Sequence, residues 1–220
     1  MHTLLLGVVG SQAYGLAHSG SDIDRLGVFA YDTDDILGLY PAQESIVRHN
    51  PDVTLQEAKK FVHLCLKMNP TVTELLWLNQ YEEMHALGGE LIEIRKAFLS
   101  RSYVRNAYFG YASAQMRRIT RSVANAEHYP RLEKHARHLM RLLIQGYNLY
   151  TTGELTVLLD AGQQHTCRTF AEEIGTNAEL GSAVLNEYAT MFTDARTPLP
   201  EKADVQTVND WLLSVRKAFA

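Results

Sequence analysis

Apolar and polar positions follow two regimes along the chain. Up to about residue 80, short apolar runs alternate with brief polar breaks. Residues 3–9 are almost continuously apolar, which predicts a buried strand, and residues 11–17 predict a short helix. Residues 22–30 form a second strand pattern, with Ile23 expected on its buried face, and residues 44–49 a third short strand. Between them, Asp34 to Leu39 reads as a helical turn ending at Gly38, and Pro41 blocks its continuation. Thr54 and Glu57 have capping-box spacing ahead of a helix to Met68, whose apolar face holds Ala58, Phe61, Val62, Leu64, Cys65 and Met68. Asn69-Pro70 ends it and starts a short helix that packs Leu75, Leu76 and Trp77 inward. Beyond Tyr81 the period becomes helical, in residues 84–99, 103–123 and 132–150, from Phe170, and in residues 205–219. Residues 196–202 are a Pro-rich linker before the last helix. The pattern predicts an α/β (α+β) core with a small mixed sheet over residues 1–82, followed by an all-helical domain over residues 83–220 that forms the other wall of a cleft.

Charge changes this picture more than composition does. The net formal charge of −4 is uneven. From Arg95 to Arg141 there are eleven basic residues and two acids, Glu127 and Glu133, so this segment carries +9 and the remainder −13. A mildly acidic chain thus keeps a local basic region suited to polyphosphate or nucleic acid, or simply to solvated helix faces. Cys65 and Cys167 stand far apart with no second pair, which excludes a disulfide framework and a cysteine zinc site and suits a reducing cytosol. No apolar run reaches the roughly 20 residues a membrane helix needs, and residues 1–10 lack the basic start of a targeting segment.

The candidate chemistry begins where the first strand ends. Gly10-Ser11 stands at a strand-to-helix turn, where backbone N–H groups and a hydroxyl suit an anion such as a triphosphate. Asp22 and Asp24, one residue apart on a strand, point the same way about 7 Å apart. Two converging carboxylates repel unless a cation lies between them, and hard oxygen donors favour Mg²⁺ or Mn²⁺. A two-metal site needs a third carboxylate, and Asp52 is the candidate, as ligand and as general base; Glu57 competes but has the cap to form. Lys134, His138, Arg141 and Gln145 recur at helical spacing on one face, which suits a triphosphate, an RNA backbone or solvent. Arg131 and His138 also loosely fit an Arg-x6-His pattern of helical ribonucleases, without the polar residue usual after the arginine.

Gly10-Ser11-x-Ala13-Tyr14-Gly15 followed by Ser21-Asp22-x-Asp24-x-x-Gly27-Val28 resembles the signature of the DNA-polymerase-β-like nucleotidyltransferases. Lys60-Phe61, Asn69-Pro70, Glu74-Leu75-Leu76, Gly110-Tyr111-Ala112 with Gln115, Lys134 with His138 and Arg141-Leu142, and Gly153-Glu154-Leu155 resemble the RNA-repair-associated bacterial and phage branch. The resemblance implies a nucleotidyl transfer in which Gly10 and Ser11 hold the triphosphate of an NTP and Asp22 and Asp24 hold two Mg²⁺ ions. A third carboxylate, matched by Asp52 from its place in the strand before the Lys60-Phe61 helix, would activate the acceptor hydroxyl. Arg25, Lys134, His138 and Arg141 would line the triphosphate or acceptor with positive charge. The Arg-rich half favours an RNA or tRNA end as acceptor. The alternatives are a small molecule or protein hydroxyl as acceptor, or a non-catalytic antitoxin or RNA-binding module.

Overall fold

The computed structural model describes residues 1–124, 129–174, 177 and 179–220. Glu127, one of the two acids in the basic segment, lies outside them. The described chain divides into two compact units, Met1–Leu99 with Lys202–Ala220, and Ser100–Glu201.

The first unit is built on a five-stranded mixed sheet in the order β3-β4-β2-β1-β5. Its strands are β1 (His2–Val9), β2 (Asp24–Ala30), β3 (Ser45–Arg48), β4 (Val53–Glu57) and β5 (Glu83–Met84). β1 runs antiparallel to β2 and β5, β3 antiparallel to β4, and β2 parallel to β4. Short helices connect them: α1 (Gly10–Tyr14), α2 (Thr33–Leu37), α3 (Ala58–Leu66), α4 (Pro70–Thr73) and α5 (Ala86–Glu93), with 3-10 turns at Glu74–Trp77 and Arg95–Phe98. Leu4, Leu5, Val28, Phe29 and Ala30 of the sheet are fully buried, as are Phe61 and Cys65 of α3. Both thiols are free and buried, and burial pushes the Cys167 thiol up to about 12, so neither is a nucleophile at neutral pH.

Helix α10 (Val205–Ala218) belongs to this same unit although it closes the chain. Asp204 caps it, its carboxylate accepting from the Thr207 N–H at 3.1 Å. Trp211 Nε1 donates to the Leu87 carbonyl at 2.9 Å, and the Thr33 N–H donates to the Phe219 carbonyl at 2.8 Å. The strongest tie is an ion pair, Arg216 Nη1 to Glu57 Oε1 at 2.7 Å, with both side chains largely shielded from solvent.

The second unit is helical: α6 (Arg101–Ala124), α7 (Tyr129–Thr152), α8 (Ala161–Ile174) and α9 (Glu179–Asp194). α6 and α7 pack so closely at Gly146 that a Cβ there would stand 2.5 Å from Tyr108 Cβ. Residues 139–146 of α7 are buried all round.

Several boundaries differ from the pattern reading. Residues 53–57 are strand β4, so Thr54 caps nothing; α3 begins at Ala58, and Glu57 is itself the N-cap, accepting from the Lys59 N–H at 2.8 Å. Neighbouring strands on both sides override the local helix signal there. Ile23 precedes β2 and is 48% exposed, not buried, because the ladder starts only at Asp24. The helix expected over 11–17 stops at Tyr14, with Gly15 in the left-handed conformation as its cap. The helix expected over 84–99 is split into strand β5, α5 and a 3-10 turn, and the helix expected from Phe170 starts at Ala161.

Candidate active site

Val9 ends β1 and pairs with Asp24, the first residue of β2, so Gly10, which follows β1 and opens α1, lies against the start of β2. Gly10 adopts φ +72°, a conformation costly for any residue with a Cβ. A Cβ built there would stand 2.7 Å from Asp24 Oδ2, so the carboxylate occupies the room that the missing side chain leaves. Ser11 follows in α1. At five residues that helix has little dipole to offer an anion, which leaves free N–H groups and the Ser11 hydroxyl as the donors. Asp22 is exposed just ahead of β2.

Asp52 comes to the same end of the sheet through the parallel pairing of β2 and β4. Arg25 is in register with Val53, and the Arg25 N–H donates to the Asp52 carbonyl at 3.0 Å. Asp24 and Asp52 thus stand one residue ahead of paired positions on adjoining strands, which lie about 4.8 Å apart. Asp52 Oδ1 contacts His49 Nδ1 at 3.1 Å. Glu57 pairs in register with Phe29, at the other end of the strand, roughly 17 Å further along. Its side chain is committed to Lys59 and Arg216.

The remaining expected cations are placed differently. Arg25 alternates away from Asp24 on β2, and its Nε donates to the Glu82 carboxylate at 2.8 Å. Within the helical unit, Lys134 is exposed, but Arg141 is only 1% exposed. Arg141 Nη1 donates to Gln145 Oε1 at 2.7 Å and Nη2 to His138 Nδ1 at 3.1 Å. Gln145 is held in turn by donating to the carbonyls of Thr156 and Val157 at 3.1 and 2.8 Å. Burial first, and then the charges of Arg141, Arg118, His135 and Lys134, hold the His138 imidazole well below its usual range. His138 is therefore neutral at pH 7 and accepts from arginine instead of adding charge. The face expected to meet a triphosphate is, at Arg141 and Gln145, internal to the helical unit.

Pattern reading missed one contact beside the site. Tyr14 Oη donates to the buried Glu74 carboxylate at 2.6 and 2.8 Å, tying α1 to the 3-10 turn sixty residues later. Nothing local signals such a pair.

Asp22 and Asp24 offer the hard oxygen donors a divalent ion takes, and the Asp24 carboxylate fills the room beside the Gly10 backbone. Among the described residues no group of three or more His, Cys, Asp or Glu is gathered to hold a metal ion. Mg²⁺ is commonly held by one or two carboxylates together with substrate phosphates, and the donor chemistry of Asp22 and Asp24 is of that kind.

Replacing Gly10 by alanine tests this arrangement. The strained φ and the collision with Asp24 Oδ2 should displace the carboxylate by a few tenths of an ångström or more and lower transfer by about 10- to 100-fold. Circular dichroism should show an unchanged helix content. Full activity in the variant would mean that Asp24 is not held where it acts.

The model of a protein family described as RlaP, RNA repair pathway DNA polymerase beta family, matches residues 1–169. No curated protein matches the chain. Among solved structures, a nucleotidyltransferase-like protein from Exiguobacterium sibiricum 255-15 is 10% identical, over 99% of this chain and 69% of that chain, with a TM-score of 0.31. A likeness that distant carries no argument about the site.

Proposed function

The chain belongs to the RNA repair pathway DNA polymerase beta family, and on that premise we propose that it transfers an NMP from an NTP to an acceptor hydroxyl at an RNA or tRNA end. The observation that carries this reading is the meeting of Gly10, Asp24 and Asp52 at one end of the sheet, produced by one antiparallel and one parallel pairing.

In this reading the N–H groups after Gly10 and the Ser11 hydroxyl hold the triphosphate. Asp22 and Asp24, with Asp52 beside them, would hold Mg²⁺ or Mn²⁺. Such ions neutralise charge on the attacking and leaving oxygens of an in-line displacement. Asp52 takes the proton of the acceptor hydroxyl, whose oxygen bonds to the α-phosphorus while the bond to the β-phosphate oxygen breaks and pyrophosphate leaves. His49, against Asp52 Oδ1, orients that carboxylate. Arg25 balances Glu82 and stabilises the start of β2. Tyr14, anchored on Glu74, fixes the helix that follows the triphosphate loop.

Incubation with Mg²⁺, each α-³²P-labelled NTP in turn and a mixture of small RNAs should give labelled RNA. Label on the protein itself, on a small molecule only, or nowhere would overturn the RNA acceptor.

A further inference from the structure

Helix α6 carries Arg101, Arg105, Arg117, Arg118 and Arg121 and no acidic residue. Its buried stripe, formed by Val104, Tyr108, Ala112, Gln115, Ile119 and Ser122, packs inside the helical unit and fixes which side faces solvent. On the solvent side lie Tyr103, Asn106, Gly110, Arg117 and Arg121, all exposed, along roughly 27 Å of helix, with exposed Arg118 on its flank. Among the described residues, Arg117, Arg118 and Arg121 meet no carboxylate.

A merely solvated face is usually balanced. On α7, Arg137 has Glu133 one turn away at 3.8 Å. On α6, Arg117 and Arg121 instead face each other across one turn as like charges. The helix dipole favours cations only within the last turn, so it accounts for Arg121 but not for Arg117 and Arg118. Arg118 and Lys134, from the two helices, both depress the neighbouring His138, so the positive field extends beyond one helix.

We propose that this face of α6 binds a nucleic-acid strand through its phosphodiester backbone, with Arg117, Arg118 and Arg121 on phosphates and Tyr103 stacked on a base. Regularly spaced cations of one sign match a chain of phosphates, and an exposed tyrosine suits an unpaired base. A membrane-binding helix would present a continuous row of large apolar side chains to solvent, whereas α6 exposes Tyr103, Tyr111 and Val123 well apart, among Asn106, Gly110 and Thr120. An acidic protein partner would need an apolar interface centre, and between Tyr103 and Arg117 the exposed line holds Asn106 and Gly110. Only the further step, that this strand is the acceptor, rests on the transfer reading.

The test measures binding without turnover. The full chain in EDTA, without NTP, is titrated into fluorescein-labelled single-stranded RNA of about 20 nucleotides, and into DNA of the same sequence, at ~50 to ~200 mM salt. The R117A/R118A/R121A variant should lose about 10-fold or more in affinity at ~100 mM salt, and the slope of log K against log salt should shrink by about 2. R117K/R118K/R121K should keep the slope. Y103A should weaken binding several-fold without changing it. Because all four side chains are exposed, thermal unfolding should be unaltered. Equal binding of RNA and DNA supports backbone contact, and RNA preference supports it with the 2′-hydroxyl read in addition. An unchanged slope in the alanine variant, or binding to anionic phosphatidylserine vesicles but not to nucleic acid, would overturn the proposal. The D22A/D24A variant should bind as the wild type does. An unaltered chain that transfers label to RNA but binds neither strand would therefore overturn the α6 proposal alone, and one that binds but transfers nothing would overturn the catalytic reading alone.

Discussion

Replacing Asp22 and Asp24 together by alanine should lower nucleotidyl transfer by about 10³-fold or more, because the pair supplies the charged oxygens on which an ion at the triphosphate would depend. Both residues lie at the solvent end of β2, and neither belongs to the buried core, so the fold should survive. Asp52→Asn should cost about 10²-fold, the usual scale for a lost general base. Glu57→Gln should leave the rate per folded molecule nearly unchanged, since Glu57 lies at the far end of β4 and already serves α3 and α10. Measured as labelled product against time at fixed Mg²⁺ and NTP, these variants separate catalysis from folding. Unchanged labelling in the double variant would remove the carboxylate pair from the chemistry. Loss confined to Glu57→Gln would show that the third carboxylate is at the other end of the strand.

The second large effect concerns stability. Arg216→Ala leaves the Glu57 carboxylate buried with the Lys59 N–H but without its ion-pair partner. Breaking one side of a buried pair costs about 3–5 kcal/mol, against a typical total of about 5–15 kcal/mol for a folded domain. Both tryptophans of the chain, Trp77 and Trp211, belong to the sheet-containing unit, so fluorescence during urea unfolding reports on that unit. The midpoint should fall sharply while the denaturant dependence stays the same. The double variant Arg216→Met with Glu57→Gln should recover much of the loss, because no buried charge is then left alone. A loss below about 1 kcal/mol in Arg216→Ala would mean that water screens the pair as at an open surface.

The parts of the molecule visible in its residue pattern are those fixed by near neighbours. The apolar run at β1, the Gly10 turn and the Asp22-x-Asp24 spacing are local, and with the scattered later motifs they carried a resemblance that agrees with the family found over residues 1–169. Strand β4 was implied by the resemblance, as the strand before the Lys60-Phe61 helix, but not by the residue pattern, because residues 53–57 satisfy a helix-capping pattern as well as a strand. Only β2 and β3 on either side decide between them. At Arg141 the expected face of Lys134, His138 and Arg141 turns inward for a related reason, while Lys134 stays exposed. Helical period places residues on one side of a helix, but α7 is enclosed over residues 139–146, so Arg141 and Gln145 there are buried and bonded to each other, with Arg141 also donating to His138.

By itself, then, the sequence determined the order of most elements, the glycine turn and the acidic residues after it, because each depends on the dihedral preferences and side-chain spacing of a few consecutive residues. The tertiary structure set the register of β2 on β4, which puts Asp52 beside the start of β2 and Glu57 at the far end of β4. It decided that Arg216 closes the sheet unit from the chain's last helix, and that Arg117, Arg118 and Arg121 stay in solvent while Arg141 does not. Those outcomes rest on strand register and on which helix covers which, and the energies that set them come from contacts between residues far apart in the chain.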